Sequence, residues 1–224
     1  MNAGQQETRR KERVVLVPGL GPAGIELLPL AARLRRKGYR VTIFRHFTGR
    51  TKIADSSRSL WARSSRLSEE VVHFVGHSLG GIVVLQMMAD HPWARPGRIV
   101  TLATPHAGIG AARRIAAIPG GRFLLWPGVR SAAFGAPIAL TTDRDLGVLA
   151  GNRDLFFGSL LLPGQESDMV VAVSEAMHPE HRANVVVRET HAGMLLSARV
   201  ATLVDQFLQQ GRFGDPCQET DIRS

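Results

Sequence analysis

The apolar run Val71 to Val75 ends in Gly76-His77-Ser78-Leu79-Gly80-Gly81 and passes directly into Ile82-Val83-Val84-Leu85. This pattern reads as a buried strand, a sharp corner occupied by serine, and an apolar helix. A serine at such a corner needs small neighbours, because the backbone turns tightly and other chain segments must come close. Gly76, Gly80 and Gly81 meet that need. The corner would present the Ser78 hydroxyl at the carboxyl edge of a sheet, beside the unpaired N–H groups of a helix N-terminus. The same letters also suit a serine that merely caps a helix. The strand on one side and the apolar helix on the other favour a nucleophile.

The rest of the chain supplies the sheet that such a corner requires. Val14 to Val17 is a short apolar run stopped by Pro18-Gly19. Residues 24–37 carry apolar residues at helical spacing and end at Gly38. Val41 to Phe44 reads as a second strand, 53–67 as a helix, 71–75 as the third strand and 78–90 as the helix after it. A fourth strand spans 98–102 and another 146–150. Residues 169–177 are apolar and ambiguous. Residues 184–187 read as the last strand and 193–208 as the last helix. Strands alternating with long helices predict an α/β fold, with a mostly parallel sheet covered by helices on both faces. Its ligand site lies beyond the carboxyl ends of the strands. Between Pro105 and Leu146 the regularity breaks into glycine, proline and large apolar residues, which predicts a short irregular cap at 107–145. The expected organisation is a polar tail over 1–12, one domain over 13–213 and a second tail over 214–224.

Composition narrows the class. The chain has 224 residues, 44% hydrophobic and 21% charged, which suits a globular domain and argues against disorder. The formal net charge is +9. The arginines are scattered and no basic-aromatic module accompanies them, so no nucleic acid is expected, and at most a weak association with anionic surfaces. The single cysteine, Cys217, cannot close an intrachain disulfide. No secretory signal and no membrane-length apolar run stands out, so the expected location is cytoplasmic. No metal-ligand spacing, phosphate loop or dinucleotide fingerprint is present, and no cofactor is expected.

The segments Val14 to Gly21, Val75 to Gly81, Thr104-Pro105-His106-Ala107-Gly108, the Asp168 loop and His191-Ala192-Gly193-Met194-Leu195 together resemble the α/β-hydrolase superfamily. The resemblance is strongest to small bacterial lipase-like and esterase-like members. Two positions depart from those relatives: Pro18-Gly19 stands where they often have His-Gly, and Asp168-Met169 where they often have Asp-Gly. The resemblance implies the chain order nucleophile, acid, histidine. His191, between the last strand and the last helix, is then the expected base, with His178 and His181 as competitors. Asp168 is the expected acid, ahead of Glu166 and Asp154. The backbone N–H groups of Leu20 and Leu79 are the expected oxyanion hole.

The function implied is a serine hydrolase that cleaves a carboxylic ester, with a lipid-like acyl group accommodated by the cap, through an acyl-enzyme on Ser78. A thioesterase or acyltransferase would use the same three residues with a different acyl group or acceptor. A catalytically silent binding protein on the same fold is the alternative of another class.

Overall fold

The computed structural model describes residues 11–21, 23–91, 93–134, 144–155, 162–177 and 183–214. Most of both tails, Cys217, positions 135–143 of the cap and the competitors His178 and His181 lie outside the described residues.

Among the described residues six strands form one sheet: β1 (Glu12–Val17), β2 (Arg40–Ile43), β3 (Val71–His77), β4 (Ile99–Leu102), β5 (Leu146–Gly151) and β6 (Ala183–Val187). Their order is β2-β1-β3-β4-β5-β6, and every pairing is parallel. Strand β1 shows why both faces must be covered. Its Val14 and Leu16 pack into one core cluster, while Val15 and Val17 pack into another on the opposite face. That is the two-residue period of a strand buried on both sides. Each such side chain contributes about 1.5–3 kcal/mol by leaving water.

Helices α1 (Leu28–Arg36) and α9 (Ala198–Gln210) cover the Val14 face through Leu30, Ala31, Leu34, Val200, Val204 and Phe207. Helices α2 (Ile53–Ser64) and α3 (Leu79–Asp90) cover the other face. Helix α3 is buried nearly all round, which explains its continuous apolar sequence.

Two expected helices differ at their starts. The segment over 24–37 opens with a 3-10 turn at Ile25–Leu27, and α1 proper begins at Leu28. Pro29 has no N–H to donate to the Ile25 carbonyl, which accepts the Leu28 N–H in a 3-10 bond instead. The last helix is in two pieces, α8 (Gly193–Leu196) and α9, because Ser197 is extended at ψ 126° and its Oγ caps the Val200 amide. Among the described residues, the cap expected to be irregular contains three short helices: α4 (Gly110–Ala117), α5 (Gly121–Leu124) and α6 (Pro127–Phe134). They are too short to show periodicity in the sequence, and Gly120, at φ 78°, sits between the first two. The ambiguous 169–177 stretch holds one turn of helix, α7 (Val173–Ala176).

The strand order reverses between β1 and β3. The chain leaves β1 to form β2 on one side, then returns to form β3 on the other. The loops leaving β1 and β3 therefore lie side by side at a topological switch point, where sheets of this kind hold ligands.

Candidate active site

Ser78 sits at this switch point, between the end of β3 and the start of α3. Its backbone is at φ 54° and ψ −126°, outside the regions that ordinary residues adopt. The surroundings hold it there. Its N–H donates to the Leu102 carbonyl at 2.8 Å, and the Thr104 hydroxyl donates to its carbonyl at 3.0 Å. The neighbouring glycines leave no room for a side chain. A Cβ on Gly80 would lie 2.1 Å from the Val17 carbonyl oxygen, and one on Gly76 2.4 Å from the Gly81 Cα. Close backbone packing thus fixes the elbow against the end of β1.

The loop after β1 lies directly over the serine. A Cβ on Gly19 would approach the Ser78 Cβ to 2.8 Å. At Pro18-Gly19 the loop is held by the Thr48 hydroxyl, which donates to the Pro18 carbonyl at 3.2 Å. Leu20 and Leu79 both line the cleft with Ser78. Among the described residues, no hydrogen bond engages the N–H of either.

Asp168 and His191 come together. His191 Nδ1 lies 2.8 Å from Asp168 Oδ2. The other carboxylate oxygen accepts the amides of Val170 at 3.0 Å and Val171 at 2.8 Å. Asp168 is buried, at 1% exposure, and Gly151 at the end of β5 leaves the space it occupies. A buried carboxylate requires such partners. The backbone joins the pair again, since the His191 N–H donates to the Asp168 carbonyl at 3.0 Å. Met169, at the position where relatives often carry glycine, has φ 89°. The acid loop therefore makes a turn of the kind glycine favours, with a methionine in it.

The other carboxylates take different places. Glu166 is exposed and accepts from Asn152 Nδ2 at 2.7 Å, and Asp154 is exposed. The other described histidines are also accounted for. His46 bonds Thr51 and Ser56, His73 accepts the Arg98 amide, His91 stacks on Trp61, and His106 bonds Thr101. His77, the last residue of β3, is buried inside the elbow. It touches His191: its Nε2 is 3.0 Å from the His191 carbonyl oxygen, and the two ring centroids are 4.7 Å apart. That contact joins residues 114 apart through a backbone carbonyl, so no side-chain pattern announces it.

Ser78 Oγ makes no hydrogen bond among the described residues. Beside Ser78 opens a cleft of about 320 Å³. Its walls are apolar: Ile109, Ala111, Ala112 and Ile115 from the α4 region, then Leu124, Leu125, Trp126, Val129, Val170 and Val171. Among the described residues no group of three or more His, Cys, Asp or Glu is arranged to hold a metal ion, and no helix is long and apolar enough to cross a membrane.

No family model matches the chain. Solved structures do resemble it. The mature lipase BlEst2 of Bacillus licheniformis superposes with a TM-score of 0.64 at 20% identity, over 90% of this chain and 92% of that one. The metagenomic carboxyl esterase MGS0156 gives 0.68 at 20% identity, over 89% and 76%. A lipase-esterase related protein from Clostridium acetobutylicum ATCC 824 gives 0.60 at 11% identity, over 88% and 94%. Parallel sheet, strand order, elbow and likeness agree: the chain has the α/β-hydrolase fold that these bacterial lipases and esterases share.

Proposed function

We propose that the protein is a serine hydrolase that cleaves carboxylic esters with an apolar, lipid-like acyl group. The observation that carries this reading is the buried Asp168 bonded to His191 Nδ1, on the rim that also holds the strained Ser78. Ser78 Oγ attacks the ester carbonyl carbon while His191 Nε2 takes its proton. Asp168 fixes the tautomer that leaves Nε2 free and stabilises the imidazolium as it forms. The amides of Leu20 and Leu79 donate to the oxyanion. His191 then returns the proton to the leaving alcohol, and water repeats the sequence to release the acid. The apolar cleft supports an alkyl acyl chain. Its rim, with Leu124 at 77% and Trp126 at 45% exposure, supports entry from an aggregated or anionic lipid surface.

The test is hydrolysis of a chain-length series of p-nitrophenyl esters, with fluorophosphonate labelling. Wild type should turn over and label at Ser78. Ser78→Ala and His191→Ala should each lose about four or more orders of magnitude in kcat. Undiminished hydrolysis by Ser78→Ala would refute the reading. No labelling of folded wild type would favour a silent binding protein. Products formed with added alcohol separate a hydrolase from an acyltransferase, and acyl thioesters assayed in parallel identify a thioesterase.

A further inference from the structure

We propose that His77 is a positioning residue. Its Nε2–H holds the backbone of His191, and so sets the base in register with the nucleophile next door in sequence. The kinetic part of this inference rests on the serine-hydrolase reading; the geometric part does not.

Ser78 and His191 reach the carboxyl edge of the sheet on separate loops. Ser78 follows β3, near the middle of the sheet, while His191 follows β6 at its edge. Proton transfer between them demands placement within a fraction of an ångström. Among the described residues, the bond from His77 Nε2 to the His191 carbonyl is the one hydrogen bond that ties the elbow, residues 76–81, to the loop over 188–194. The other anchors of His191, its amide and its Nδ1, both run to Asp168, which rides on a third loop. Without His77, the loop that carries His191 is no longer bonded to the elbow, and the amide bond from His191 to the Asp168 carbonyl opens more readily.

The chemistry of the bond is fixed by its acceptor. A carbonyl oxygen cannot donate, so Nε2 carries the proton. Burial, and then the nearby His191, push the His77 imidazole down to about 3, so it stays neutral through the working range. A neutral donor suits this place. A second cation 4.7 Å from the His191 ring, centroid to centroid, would oppose the imidazolium that the reaction creates. His77 also stands outside the lining of the substrate cleft, so its loss should not weaken acyl binding.

Three substitutions separate the donor from the ring. Gln places an amide N–H as many bonds from Cα as Nε2, Asn places one at the shorter Nδ1 distance, and Leu removes the donor. Activities are compared per Ser78 titrated with fluorophosphonate, so that unfolded protein is not counted. The expected result is a kcat fall of about ten- to a hundredfold in Leu and Asn at unchanged KM, with Gln recovering most of it. Hydrogen exchange of the His191 amide, followed by NMR in the free protein, should speed up in Leu and Asn and stay near wild type in Gln. A kcat per labelled site equal to wild type in His77→Leu overturns the positioning role. Unchanged amide exchange in His77→Leu overturns the tie itself, whatever the activity. A wild type that neither turns over esters nor labels removes the hydrolase reading instead, and the exchange measurement still decides whether His77 holds the loop.

Discussion

Met169 follows the acid at φ 89°, a backbone conformation that L residues rarely adopt. Replacing it isolates the strain in the acid loop. Its side chain is half-buried, so Met169→Ala removes modest packing and keeps the strained backbone. Met169→Gly removes the same packing and also the strain. A left-handed L residue costs roughly 1–2 kcal/mol, and glycine gives back about 0.5–1 kcal/mol through its freer unfolded chain. Glycine should therefore be more stable than alanine by about 1 kcal/mol at this position. In a domain of this size, that is about 2–4 °C in Tm. Urea and thermal unfolding of the two variants measure the difference directly, free of the methionine side chain. The glycine variant should also keep its ester hydrolysis, because the Asp168 carboxylate is held by the amides of Val170 and Val171, which the change leaves in place. Equal stability of the two variants, or a more stable alanine, would refute the claim that this turn is strained.

Other expectations follow from the same geometry. Glu69 is held at about 2, mainly by its hydrogen bond from Arg13 and with help from Arg40, so its folded value lies below its unfolded one. Its contribution to stability is complete above the ordinary value of 4.5 and is lost as pH falls from there through about 2. The stability gap between wild type and Glu69→Gln should shrink from pH 7 to pH 3 in urea unfolding, and a constant gap would contradict this. Ala112 is buried in the cleft wall, and Ala112→Phe should cut the rate on long p-nitrophenyl esters at least about tenfold relative to the acetate. An unchanged chain-length profile would place the acyl group elsewhere. Phe123, 87% exposed beside Leu124, should insert into phosphatidylglycerol vesicles. Sedimentation that survives Phe123→Ser with Leu124→Ser would exclude that surface.

The sequence reveals most where chemistry restricts the letters. The elbow glycines are legible because Gly80 has the end of β1 against its Cα, and any larger residue would meet the Val17 carbonyl. Strand β1 is legible because burial on both faces leaves an unbroken apolar run. Asp168 and His191 are legible through chain order and resemblance, and the structure brings them within hydrogen-bonding distance. What stays hidden depends on the backbone. Ser197 breaks the last helix although the apolar spacing runs straight through it, since periodicity reports which side faces the core and not where the chain bends. The helices of the cap are one to two turns long, below the length at which a period can be read. His77 looks like filler in a motif because its partner is a carbonyl, a group every residue has.

Folding order gives the sheet a temporal consequence. His77 and His191 stand 114 residues apart, and β4 and β5 must be laid down before β6 can bring the base to the rim. At about 5–20 residues per second, a ribosome spends roughly 6–23 s between making the elbow and making the base. Through that interval the emerging chain carries Ser78 without His191, so the hydrolytic competence proposed above would be a late event of synthesis. A chain stopped short of β6 would lack His191, and with it the proton acceptor that the proposed mechanism requires.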